Sequence, residues 1–367
     1  MAEGDSPPIP LVSAAREAGP DMALVGLQQS FDEAAEAAGG AIEHRLTIVE
    51  GTVNLRFAGR AVADLLMPAF AHLRSSDDEP TLTLHAWDAT TTSSGRPTFA
   101  PPQIVDGNGI GPDATGPGVS YHYAEASFQA LHQPGPDVLS VLSAGDDVGW
   151  FWTPDMRRLP HWDYAAPFRH LLSWWLGARG YQHVHGGAVG IPSAGVLLVG
   201  RGGSGKSTTA LSTLGDPGLR YAGDDYVALD GGARPAVHSL YCSGKVHPAD
   251  LDRLPRLRAA VANNDRLQDE KAVLYVQRAF PSAAIEGFPL SAILMPRVTG
   301  RRAARVVEAS KPAALSALAP STILQRRPPQ REALEQLARL VERMPAYVLE
   351  VGSDTGTIPD AILEVLA

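Results

Sequence analysis

The chain has 367 residues, 44% of them hydrophobic and 19% charged, which is long enough for more than one buried core and composed like a globular protein. Its formal charge of -9 at pH 7 excludes the concentrated Lys and Arg of a nucleic-acid or anionic-membrane surface, so neither is an expected partner. The lone cysteine, Cys242, excludes an internal disulfide and any multi-cysteine metal site and fits a reducing, cytoplasmic setting.

Residues 1–22 are rich in Pro, Ala and Gly without a clear period and read as a loose arm. Acid and prolines stand there where an export signal needs a basic end and an apolar run, so no such signal is expected. Residues 23–160 read as a smaller N-terminal α+β domain. In it, HRLTIVEGTVNLRFAG alternates around Gly51 as a hairpin does, and AVADLLMPAFAHL has helical apolar spacing. Residues 89–119 are dense in Gly, Pro, Asp and Asn, which predicts a long exposed loop.

Residues 161–367 read as an α/β domain. Phe168, Leu171, Leu172, Trp175 and Leu176 share one helical face, Gly180 is a stop, and the Trp174–Trp175 pair reads as core. The most apolar stretch, Ala188 to Gly200, is interrupted by glycine and proline and is too short to span a bilayer.

Within that stretch the run from Gly195 to Val199 has the character of a buried parallel strand, and a helix is expected from Ser207 to Leu214. Between them stand Gly200, Arg201, Gly202, Gly203, Ser204, Gly205, Lys206, Ser207 and Thr208, which satisfy the G-x-x-x-x-G-K-[ST] phosphate loop. Glycines let successive N–H groups turn towards phosphate oxygens, and Lys206 neutralises the β and γ phosphates. Ser207 supplies a hydroxyl to Mg²⁺, and Thr208 completes the turn. ATP and Mg²⁺ are therefore the expected cofactors.

The segment Leu219 to Leu229 reads as the next strand and contains Asp224 and Asp225, one expected to face a metal and the other to act in catalysis. Upstream, His185 in Val184–Val189 reads by itself as a packed or surface histidine before a strand, with His183 placed on the other face of the extended segment. Lys245 and Lys271 can reach a phosphate but read as surface lysines. Arg297, Arg301, Arg302 and Arg305, after a strand expected over Ala292 to Met295, read as a solvated loop. Helical spacing returns from Arg331 to Leu340.

The order histidine, GVLLVG, phosphate loop, helix, Asp-Asp over residues 181–230 resembles the bacterial HPr kinase/phosphorylase family and its relatives described as serine kinases. That resemblance implies an HPr kinase/PEP carboxykinase-like P-loop kinase domain. It also implies that His185 and one aspartate, Asp224 or Asp225, lie beside the γ-phosphate and that the aspartate is base towards a substrate serine, while Lys206, from the phosphate loop itself, is expected to serve in transfer. His238 to His247 stand where the family carries a glycine-rich acidic signature. Length and layout are nearer to relatives encoded with peptide-modification systems, including lasso-peptide tailoring kinases. The expected acceptor is therefore a serine hydroxyl of a peptide or protein, with a homo-oligomer left open.

The rival readings are a small-molecule kinase and a catalytically idle nucleotide-binding module. An ABC-type ATPase would show an LSGGQ-like segment beyond the loop, and none is present.

Overall fold

The computed structural model describes residues 20–97, 99, 104–107, 121–124, 128–143, 145–323 and 331–367. Residues 1–19 of the expected arm, and 98, 100–103 and 108–119 of the expected loop, lie outside the described residues. The chain forms two compact units. One comprises residues 1–47, 51–65 and 75–159; the other comprises 48–50, 66–74 and 160–367. Both are mixed α/β structures with mixed sheets, and no helix among the described residues is long and apolar enough to cross a membrane.

The first unit carries α1 (Pro20–Ala37), β1 (Ala41–Ile48), β2 (Gly51–Ala58), α2 (Arg60–Leu66), β3 (Leu82–Asp88) and α3 (Ala89–Thr92). It continues with β4 (Ile104–Gly107), β5 (Tyr121–Ala124), β6 (Phe128–Gln133), β7 (Val138–Ser143) and β8 (Val148–Thr153). Its sheet runs β1-β2-β3-β8-β7-β6-β5-β4, parallel from β2 through β8 and antiparallel from there to β4. Leu24, Leu27, Phe31, Ala34 and Ala35 recur at helical spacing and bury α1 against Trp87, Trp150 and Trp152.

His85 is caught in this core, its ring centroid 4.4 Å from that of Phe31. Pro20 already belongs to α1, so the expected arm gives way to helix before residue 22. The part of the expected loop that is described is ordered too. Asp88 accepts from Thr91 N and caps one turn of helix over Ala89–Thr92, and Ile104–Gly107 pairs with β5.

The second unit begins with α4 (His161–Tyr164), α5 (Arg169–Ala178), β9 (Gln182–His185), β10 (Gly187–Ile191), β11 (Ala194–Leu198) and α6 (Lys206–Ser212). Then come β12 (Arg220–Gly223), β13 (Tyr226–Asp230), β14 (Ala236–Ser239), β15 (Ser243–Val246), β16 (Ala272–Tyr275) and α7 (Val276–Ala279). It ends with β17 (Gly287–Val298), β18 (Arg305–Glu308), α8 (Lys311–Ile323), α9 (Arg331–Arg343), β19 (Ala346–Val351) and α10 (Ile358–Leu366).

The long strand β17 organises this unit. Its first residues pair antiparallel with β14, and its remainder lies parallel between β11 and β19. β11 is thus parallel to β17 on one side but antiparallel to β10 on the other. Alternation sorts its side chains: Val196 and Leu198 enter the core that contains Ala210, Leu211 and Ile362, while Leu197 and Val199 enter the one that contains Leu318, Leu337 and Leu340. Helices α6 and α10 therefore cover one face, and α8 and α9 the other. Gly195 lies so close to β17 that a Cβ there would come within 2.0 Å of the Phe288 ring.

Trp174 and Trp175 are both buried in this unit. The strand expected from Leu219 to Leu229 is broken in two. β12 pairs with β10, β13 pairs with β9 and β14, and Asp224 and Asp225 form the corner between them.

Candidate functional site

The glycine loop follows β11 directly. Val199 N–H donates to Leu294 O at 3.0 Å, after which Gly200 turns away with φ 148°. A Cβ on Gly200 would meet Ser204 Oγ at 2.6 Å, so this position needs glycine. Gly205, with φ 102°, precedes α6, whose first helical bond runs from Thr209 N to Gly205 O at 2.8 Å. Lys206 is only 8% exposed and folds over the loop, donating to Gly200 O at 2.6 Å and Arg201 O at 3.2 Å. Burial lowers its pKa, while the charges of Asp224 and Asp225 oppose that shift.

The two aspartates have different surroundings. Asp224 is 2% exposed; its Oδ2 accepts the Lys245 N–H at 2.9 Å, and its Oδ1 has no hydrogen bond. Burial and the neighbouring Asp225 charge push its pKa up to about 6, against the pull of the Lys245 N–H and the Ser207 hydroxyl. Asp225 is half-buried and held on both sides. His185 Nε2 lies 3.1 Å from Oδ1, and Lys245 Nζ lies 2.5 Å from Oδ2. Burial would raise this carboxyl, but Lys245 and His185 outweigh it and hold the group well below the usual carboxylate range.

His185 ends β9 opposite Tyr226, at the start of β13. His183 does not lie on the other face, because residues two apart along a strand share a face. Both rings lie against Tyr226, His183 stacked at 4.9 Å and His185 tilted at 5.4 Å.

Lys245, which reads in the sequence as a surface lysine, is 6% exposed and touches both aspartates. Its place depends on the two-stranded β15–β16 sheet, about twenty residues downstream of the acids, and local spacing carries no trace of that. Of the basic cluster, Arg297 and Arg301 reach Glu350 at 2.7 and 3.0 Å, and Arg305 stands opposite Glu350 on the neighbouring strand. A cavity of about 860 Å³ lined by Tyr181, Asp230, Gln336 and Arg343 opens at the far ends of β9 and β13 from His185 and Asp225, and so is separate from the glycine loop.

These residues fit a magnesium nucleotide. The loop offers backbone N–H groups and an ammonium for phosphates. The buried, unpartnered Oδ1 of Asp224, with the Ser207 hydroxyl acting on the same carboxyl, offers hard oxygen donors. No group of three or more His, Cys, Asp or Glu side chains is placed to hold a metal among the described residues.

Neither a protein-family model nor a curated protein matches the chain. Among solved structures it is similar to the Hpr(Ser) kinase/phosphatase from Coxiella burnetii, at 12% identity over 50% of this chain and 94% of that one, with a TM-score of 0.28. Similarity at that level establishes neither family nor activity.

Proposed function

We propose that the chain is an ATP-dependent serine kinase that transfers the γ-phosphoryl group to a peptide or protein hydroxyl, with a ribosomally made precursor peptide of the lasso type as the acceptor class. The observation that supports this most is the meeting of a lysine-closed glycine loop with two carboxylates in opposite electrostatic states.

Lys206 exchanges its loop carbonyls for phosphate oxygens and offsets charge that spreads over them in the transition state. Asp224 and Ser207 would hold Mg²⁺, which when bound supplies charge neutralisation between the β and γ phosphates. Asp225, fixed by Lys245 and His185, orients the acceptor hydroxyl. As its oxygen bonds to phosphorus and the bond to ADP breaks, the proton passes to the Asp225–His185 pair.

The test incubates the protein with ATP, Mg²⁺ and serine peptides encoded beside its gene and looks for phosphoserine by mass spectrometry. Lys206→Ala is expected to abolish that product and weaken ATP binding while the protein stays folded. Normal turnover by folded Lys206→Ala would remove the glycine loop from the reaction.

A further inference from the structure

Lysine is scarce in this chain: four lysines stand against 27 arginines. Surface positive charge is arginine's task here, yet Lys206, Lys245 and Lys271 all converge on one site. Lys206 closes the glycine loop and Lys245 holds both aspartates. Lys245 pairs with Val273 across the two-stranded β15–β16 sheet. Extending that register by one residue puts Lys271 diagonal to Lys245 on the same face. Its charge is felt at both Lys206 and His161.

Two other cations near this edge have carboxylate partners: buried Arg169 with Asp163 at 2.5 Å and part-exposed Arg266 with Glu270 at 2.6 Å. The Lys271 ammonium has no hydrogen bond or ion pair to any described residue. Beside it His161 is anchored through its backbone N–H to Glu270 Oε1 at 3.2 Å. His161 as a residue is only 9% exposed, and its Nδ1 has no hydrogen-bond partner. A buried polar atom left in this state costs about 1–3 kcal/mol unless something binds it.

We infer that Lys271 and His161 form a subsite for an anionic group carried by the acceptor, next to the hydroxyl that receives the phosphoryl group. The inference rests on the kinase reading, in which Asp225, whose charge acts on His161, orients the acceptor hydroxyl. Burial, together with the Lys245 and Lys271 charges, holds His161 down at about 4, so near neutral pH the ring offers hydrogen bonding and Lys271 provides the charge. A carboxylate and a phosphate both satisfy this chemistry.

The experiment titrates the protein, saturated with ADP and Mg²⁺, in a calorimeter with three peptides that differ only after the serine: Asp, phosphoserine or Asn. The parent is expected to bind at least one anionic peptide about tenfold or more tighter than the Asn peptide, and the better of the two identifies the group. Lys271→Met should erase the gap, Lys271→Arg should keep it, and ADP affinity should stay within about twofold in both. No gap in the parent, a gap that survives in Lys271→Met, or a loss of ADP affinity there would each overturn the inference. Should ADP fail to bind the parent, the glycine-loop reading falls, and the same peptides titrated without nucleotide still decide the subsite.

Discussion

Asp224 and Asp225 adjoin in sequence but hold opposite electrostatic states, and the proposed function gives them different roles on that contrast. Asn in place of either keeps the size and removes the charge. Each single variant is expected to bind ATP within about tenfold of the parent and to transfer phosphate about a hundredfold or more slowly. Asp224→Asn should need more Mg²⁺, because its free Oδ1 is the candidate metal ligand, whereas Asp225→Asn should not. A magnesium titration of both variants reads the difference. Parent-like rates from both at saturating Mg²⁺ would dismiss the pair.

The glycine loop was legible in the sequence because its residues act within one turn of chain. The electrostatic contrast between the acids was not, since it depends on Lys245, which a separate two-stranded sheet delivers. The error over His183 was of another kind, a miscounted strand parity.

At the scale of elements, the strand that leads into the glycine loop packs closely on β17. Gly195 sits five residues before Gly200, and a Cβ there would strike Phe288. Gly195→Ala is expected to cost about 1–3 kcal/mol and to weaken ATP binding, although residue 195 touches no phosphate. Urea unfolding and nucleotide titration of the variant check both effects. Unchanged affinity would show that the loop is insulated from its strand.

The broken strand at Asp224–Asp225 escaped sequence reading because both halves are apolar and only their different partners reveal the corner. The strands of the N-terminal unit were largely invisible for a related reason. β7 is buried on both faces, so the alternation that betrays a half-exposed strand is missing.

For the whole molecule, acid is the expected weakness. Burial first, and the Arg56 charge second, lower the pKa of His85 from 6.5 to about 3. The folded state therefore resists a proton that the unfolded chain accepts readily. Stability from this group is complete above 6.5 and is lost as pH falls from there towards 3. By about pH 4.5 the loss should reach about 2–3 kcal/mol. His85→Phe removes the titrating group and should flatten the decline in urea midpoints between about pH 7 and pH 4.5. An equal decline in parent and variant would place the acid sensitivity elsewhere.

The double allegiance of β17 has one more consequence. The strand that flanks β11, and hence the glycine loop, also pairs with β14, the partner of the β13 strand that begins beside Asp225. Phosphate cradle and carboxylates are thus surveyed from one common datum, and a rigid-body shift of β17 carries both together. The spacing between the glycine loop and the carboxylates is built into the scaffold, so under the proposed function it needs no induced assembly when the partners arrive.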